Sequence, residues 1–396
     1  MATPYVPRRP ATRWPYDPWF DLAAGRGQNS ASWQFELIEA ASGRLLGELT
    51  PVRDSPPTLA HDTTRAVVRQ LTLALGARDA AAFDAIAHRV RVVMVTGDGR
   101  RWPLGGRMMA TDDTQAPATS GATRSVVLAD EALAVLGQPI DRAFTAQLPG
   151  ANPIALGQPA GTVAAAFLRR YPLFDPDGAD GARTTGVAMS RRAVVPVAIE
   201  PTVHVSEGAW TAGTAGSQVL AALAADGDYL PPWIDNTGVL RMVRSFDPAG
   251  RVPAVDWDTS GRVHRDSIAR TSDVLSAPNR YVVISNSGAE DTRTQPVTGA
   301  YDVPASAPWS IARRGYVVPR VTTMQVSTIE QAAAIARTQA LLAQAAEQVE
   351  LTTPPDPRHD AYDVIRWDGQ LWLETAWSMV LAPGGAMRHT LRRAYR

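Results

Sequence analysis

The chain has 396 residues, 45% of them hydrophobic, and its 39 acidic and 39 basic side chains leave no formal net charge. That is the profile of a globular chain long enough for two or three domains, and it supplies no net field to hold a polyanion. Cysteine and lysine are absent, so every basic residue is Arg; thiolate nucleophiles, disulfides, Schiff-base chemistry and the lysine-dependent phosphate loop are excluded.

Residues 1–31 interleave Pro4, Pro7, Pro10, Pro15 and Pro18 with Tyr5, Trp14, Tyr16, Trp19 and Phe20. This favours an extended arm that docks through its aromatics. The N-terminus has no apolar signal core, and no stretch reaches the roughly 18 apolar residues of a membrane span. Synthesis and assembly in the cytoplasm are expected. Abundant Ala, Gly, Pro and Arg without Lys point to a GC-rich genome.

From Trp33 to Leu49 a strand pair is predicted around Ser42-Gly43, and Arg69 to Leu75 alternates with Leu71, Leu73 and Leu75 on one face. A short helix around Asp79 to Ile86 follows. Arg89 to Val95 then runs into Asp98-Gly99, a hairpin turn that returns through Trp102 and Leu104. Arg124 to Leu128 reads as a strand and Asp130 to Leu136 as a short helix.

Between about 138 and 254 the character changes. Gly161 to Tyr171 and Gly216 to Ala225 read as helices, and Trp233 to Met242 as a hairpin turning at Asn236-Thr237-Gly238. Strands return at Arg280 to Ser285, Tyr316 to Val321, Asp363 to Trp367, Leu371 to Glu374 and Trp377 to Leu381, with a turn at Asp368-Gly369. Ser327 to Val349 is the longest predicted helix, capped by Ser327 or Thr328, with Glu330 in its first turn. The expected fold class is β-rich α+β: two antiparallel β units, 32–137 and 255–396, flank a mixed α/β domain at 138–254.

The sequence assigns no catalytic, cofactor-binding or metal-ligating residue. The six histidines, at 61, 88, 204, 264, 359 and 389, fall at no zinc-ligand spacing. Asp175, Asp177 and Asp180 sit in one segment that a Ca²⁺ ion can use, but Ala179 stands where the calcium-loop pattern wants a ligand. A polar turn-rich loop is the reading there. No G-x-S-x-G elbow occurs. Asp226, Asp228 and Asp235 are assigned to turns or surface, and Gly105-Gly106 to a bulge or tight turn. The scattered Arg pairs are expected to solvate surfaces or to meet acids.

Six strings occur in order: Gln218-Val219-Leu220 with Leu223; Asp235-Asn236-Thr237-Gly238; Pro278-Asn279-Arg280-Tyr281-Val282-Val283; Gln331-Ala332 to Ala336 through Leu341; Asp363-Val364-Ile365; and Gly384-Gly385-Ala386-Met387 to Leu391. Together they resemble the baseplate hub or minor tail protein family of long-tailed, siphophage-type bacteriophages of actinobacteria, with Thr237 where the family's pattern has Asp. The resemblance spans residues 32–396. It implies two tube-like β-barrel domains flanking the inserted domain, and a homotrimer whose six barrels form a pseudo-sixfold ring.

Such a ring joins the sixfold tail tube to a threefold tip and gives DNA a channel in transit. The implied partners are a distal tail or tube protein, a tape measure protein, and a central fibre, spike or other minor tail protein; the implied location is the virion tail tip. Membrane binding, a cofactor and enzymatic activity are not implied, and no lytic or adhesive domain is expected after Arg396. A hub of a contractile injection system is the alternative within the fold. A cell-wall hydrolase or carbohydrate-binding β protein is the alternative outside it. The strand positions of Trp102, Trp233, Trp257, Trp367, Trp372 and Trp377 favour core roles over a glycan groove.

Overall fold

The computed structural model describes residues 31–63, 69–97, 99–116, 123–141, 143–145, 163–164, 167–168, 174–175, 191–194, 209–236, 238, 240–258, 263, 268–273, 275–285, 296–324, 326, 328–343 and 347–395. Residues 1–30 of the Pro/aromatic arm lie outside these, as do Asp177 and Asp180 of the acidic loop, His204 and His264. Among the described residues no helix is long and apolar enough to cross a membrane.

The chain is mostly β-sheet with few helices. Leu71, Leu73 and Leu75 are fully buried on one face of the strand Arg69–Leu75, as their period-two spacing requires. Each such side chain contributes about 1.5–3 kcal/mol relative to remaining exposed. Ser32–Glu39 and Leu45–Leu49 form the expected hairpin, with Gly43 at φ 70° in its turn. At Asp368-Gly369 both residues have positive φ, 53° and 67°, the conformation a two-residue hairpin turn demands.

Among the described residues fourteen strands form one sheet, and hydrogen bonding is continuous from Ala269–Ser272 through Glu347–Thr353, Met387–Arg393, Gln370–Val380, Thr58–Asp62, Arg69–Leu75, Thr123–Asp130, Met108–Ala116, His88–Val95 and Ser32–Glu39 to Leu45–Leu49. Three short strands extend it: Val364–Trp367 pairs with Gln370–Val380, Val255–Asp256 pairs with Val364–Trp367, and Arg101–Pro103 pairs with His88–Val95. The junction between strands from the two ends of the chain is the antiparallel pairing of Thr58–Asp62 with Gln370–Val380. Among the described residues no pairing closes either end of this sheet into a ring.

A separate three-stranded sheet places Arg280–Ser285 between Thr298–Asp302 and Pro319–Met324, and the helix Ile329–Ala343 packs on it through Ala332, Ile335, Ala336 and Ala340. Gly299 permits the close approach: a Cβ there would lie 2.2 Å from the Ala333 nitrogen. Thr328 is the helix cap, its Oγ1 accepting from the Gln331 amide at 3.1 Å.

The predicted continuation of this helix to Val349 is overturned. Glu347–Thr353 is a strand whose Val349, Leu351 and Thr353 alternate inward, and it is paired on both sides. Two-sided pairing and period-two burial outweigh the helix propensity of the preceding Ala/Gln run. A third core gathers the helix Gly216–Asp226, the hairpin Trp233–Ile234 with Leu240–Arg241, and buried Val163, Ala164, Phe167 and Leu168. Those last four residues are helical, within the helix expected over Gly161 to Tyr171.

Candidate functional site

A cluster of buried polar residues lies where the two ends of the chain pair. Arg69, His61, Trp377 and His389 stand directly opposite one another on four successive strands, so their side chains share one face. All four are buried. They border the apolar residues Leu59, Leu71, Met379 and Met387 of the same strands.

Glu374 joins this face through an irregularity of register. It stands three positions before Trp377, so a regular strand would point it to the other side. A one-residue shift between Glu374 and Ala376 restores it to the inner face, opposite Leu391. The sequence pattern splits here into two apparent strands; the structure has one bulged strand, Gln370–Val380.

Two imidazoles meet the Glu374 carboxylate. His359 Nδ1 lies 2.9 Å from Oε2 and His389 Nδ1 lies 2.5 Å from Oε1, and all three residues are at most 1% exposed. His389 Nε2 is 2.8 Å from the Thr353 hydroxyl, and Trp257 closes over both rings at 4.9 and 5.5 Å. Burial pushes the Glu374 carboxyl up, but the two histidines outweigh it and hold the group down to about 2. Burial pulls His359 down, yet the Glu374 charge leaves it raised; at His389 burial prevails and the value is lowered.

Two histidines and a carboxylate are a ligand set that zinc accepts. The spacing here is that of direct N–H···O hydrogen bonds, shorter than the about 3.3 Å separation that bonds of about 2.05 Å impose at tetrahedral angles. The arrangement sets the Glu374 carboxylate between two imidazoles in a dry interior, each imidazole bonded to it through Nδ1.

Arg69 extends the cluster to the middle of the chain. Its Nη2 donates to Asn236 Oδ1 at 2.8 Å and to His61 Nδ1 at 3.2 Å, Nη1 reaches the Asp235 carbonyl at 3.4 Å, and the guanidinium sits 5.7 Å from the Trp377 ring centroid. Asn236 Nδ2 then donates to the carbonyls of Pro357, at 2.9 Å, and of His359. One turn thereby holds the strand Arg69–Leu75 and the loop 354–363 together.

Gly105 and Gly238 make room for this. A Cβ on Gly105 would fall 2.3 Å from Arg69 Nη1, and one on Gly238 would fall 2.9 Å from the Gly106 Cα.

The loop 354–363 is mostly buried, and Tyr362 within it holds φ 59°, rare for an aromatic residue. Its ring packs edge-on against Trp233 at 5.1 Å. Asp360 is pushed up to about 7, first by burial and then by the Asp235 charge, with Arg69 opposing.

The sequence predicts Asp235 in a turn or on the surface. It is at a turn but buried, with Oδ2 2.6 Å from both Nε and Nη2 of Arg241. Asp228 does occupy a turn, at φ 55°, bonded to the Ser245 and Thr338 hydroxyls. Asp175 is in a short strand paired with Arg191–Val194. Of the histidines, the fold unites His61, His359 and His389 across residues far apart in sequence, and His88 remains outside, accepting from the Asp84 amide.

Of the paired arginines, Arg101 and Arg393 meet acids as expected, Arg101 bonding Glu36 at 2.5 Å and Arg393 bonding Glu347 at 2.7 Å, whereas Arg392 donates to the Ala343 carbonyl at 2.6 Å. Trp210, Trp233, Trp257, Trp309, Trp372 and Trp377 are buried in cores.

No family model matches the chain, and no curated protein matches it. Solved structures do share its fold. The 43 kDa tail protein of prophage MuSo2 from Shewanella oneidensis superposes at TM-score 0.57 and 14% identity, over 92% of this chain and 99% of that one. The prophage tail protein gp18 from Listeria monocytogenes EGD-e gives 0.50 at 10% identity, over 90% and 94%. A tail protein from Neisseria meningitidis MC58 gives 0.49 at 13% identity, over 91% and 96%.

Proposed function

We propose that the chain is a structural, non-enzymatic protein of a phage tail tip, the baseplate hub of a long-tailed phage of a GC-rich, actinobacterial host. The observation that carries the reading is the fold shared with the MuSo2 tail protein over nearly the whole of both chains, together with the ordered strings from Gln218 to Leu391. In this reading residues 1–31 are an arm. Residues 32–137 and 255–396 are the two tube-like units, and 138–254 are the domain inserted between them.

Three copies form a ring that joins the sixfold tube to a threefold fibre or spike and gives DNA its channel. Neighbouring tail, tape measure and fibre proteins are its partners. A ring needs each subunit to hold its two tube-like units in a fixed relation. Strand pairing between Thr58–Asp62 and Gln370–Val380, sealed by the buried Arg69–His61–Trp377–His389 row, is suited to that demand. The ionisable cluster is closed to solvent, which suits a role in holding rather than in turnover.

Threefold-averaged cryo-electron microscopy of the tail tip of the parent virion tests the proposal. A ring of six β units built from three copies of this chain is the expected density. Absence of the chain from purified virions overturns the reading.

A further inference from the structure

The contact between Arg69 and His61 fixes the protonation of the histidine by chemistry alone. A guanidinium only donates hydrogen bonds. His61 Nδ1, 3.2 Å from Arg69 Nη2, must therefore accept, and its single proton sits on Nε2. Both side chains are at most 1% exposed, so neither can turn to water without a movement of the backbone around it.

The same Arg69 nitrogen bonds Asn236, and Asn236 bonds the loop 354–363. The hold on three segments of the chain thus passes through one guanidinium beside one neutral imidazole.

We propose that His61 and Arg69 form an acid-sensitive lock: a proton added to His61 Nδ1 turns its acceptor into a donor, expels the Arg69 guanidinium, and loosens the Asp235-Asn236 turn from the sheet. Protonation places two cations side by side in a dry interior, where their repulsion is weakly screened. The charged and titratable groups packed around the ring are Arg69 on the adjacent strand and Glu374 on the other side. Beyond Arg69 stand Asp235 and Asp360.

Of these, Glu374 favours the proton, but it is engaged by His359 and His389. Burial first and Arg69 second hold His61 well below the usual imidazole value. The lock is therefore closed at neutral pH and opens only in clear acid. It stands on this chain's own side chains and is independent of any assembly.

His61→Gln retains an acceptor, the amide oxygen, and cannot titrate. The test follows thermal unfolding of the full chain from pH 8 to pH 4 for the wild type, His61→Gln and His389→Gln. The wild type is expected to lose stability relative to His61→Gln as pH falls, with a limiting slope of about tenfold in the folding constant per pH unit for the one proton taken up. His389→Gln reports what a different buried histidine of the same row contributes. A difference between wild type and His61→Gln that does not change with pH overturns the lock.

Pulsed hydrogen exchange on the wild type gives a second readout, needed if His61→Gln fails to fold. Protection at Leu240–Arg241 is expected to fall by about tenfold or more in acid before protection at Arg280–Ser285 changes, tenfold being one pH unit for one proton. Simultaneous loss in both segments overturns a local release.

Discussion

The His61 ring lies stacked on the Trp377 indole, with centroids 5.4 Å apart and planes inclined by 26°. The two residues belong to strands from opposite ends of the chain and pair directly in antiparallel register. The first and last thirds of the protein are therefore fused by backbone hydrogen bonds and by a shared aromatic contact, and a change at either residue is felt on both sides.

Glu374→Gln removes the carboxylate charge to which both His359 and His389 are hydrogen-bonded. The folded carboxyl is held down to about 2, so its stabilisation is fully present above the ordinary value near 4.5 and is lost as pH falls toward 2. At pH 7 the variant is expected to lose about 3 kcal/mol. Urea unfolding of both proteins at pH 7 and pH 3 checks this, and the gap should narrow at pH 3.

Asp360→Asn acts in the opposite direction. A carboxyl pushed up to about 7 costs stability once it ionises. That cost begins as pH rises past the ordinary aspartate value and is complete above about 7. The amide can still accept from the Ala361 nitrogen. A gain on the order of 1–2 kcal/mol is expected at pH 8, and none at pH 3.5. Equal midpoints at pH 8 would refute it.

Asn279 is fully buried and makes three hydrogen bonds. Its amide nitrogen donates to the carbonyls of Trp309 at 3.1 Å and Tyr316 at 3.0 Å, and its oxygen accepts from the Val318 nitrogen at 2.7 Å. Asn279→Ala is expected to cost about 3 kcal/mol. Asn279→Asp should be at least as damaging despite its equal size, because a carboxylate cannot donate to two carbonyls. Thermal midpoints of the pair decide the matter.

Gly299→Ala drives a methyl group into the backbone of the helix Ile329–Ala343, 2.2 Å from one nitrogen and 2.5 Å from the Ala332 carbonyl carbon. Neither atom can yield without moving the helix. A loss of about 1–3 kcal/mol or more is expected in denaturant titration, with the helix displaced in a crystal structure of the variant.

Local pattern made much of the fold readable. The Leu71, Leu73 and Leu75 alternation, the Asp368-Gly369 turn and the Trp233 to Met242 hairpin carry their own signals, and each forms as expected. The strand Thr58–Asp62 was not legible: of its inward residues Leu59 and His61, one is polar, and its partners are supplied from elsewhere.

The polar cluster was hidden for a related reason. His61, His359 and His389 have no common spacing. Glu374 reaches them only because a bulge reverses its face, which no period in the sequence announces. Asn236 and Asn279 lie in strings that the sequence does single out, but their burial depends on carbonyls contributed by distant loops.

The pairing that unites the two ends also sets an order of events during synthesis. Thr63 bonds Thr375, 312 residues further on. At about 5–20 residues per second the ribosome needs roughly 15–60 s to deliver that partner. For that interval the outer edge of Thr58–Asp62 stands without its mate, a template for the wrong strand of a neighbouring nascent chain. Yield of correctly folded protein should therefore depend on how crowded the translating messages are.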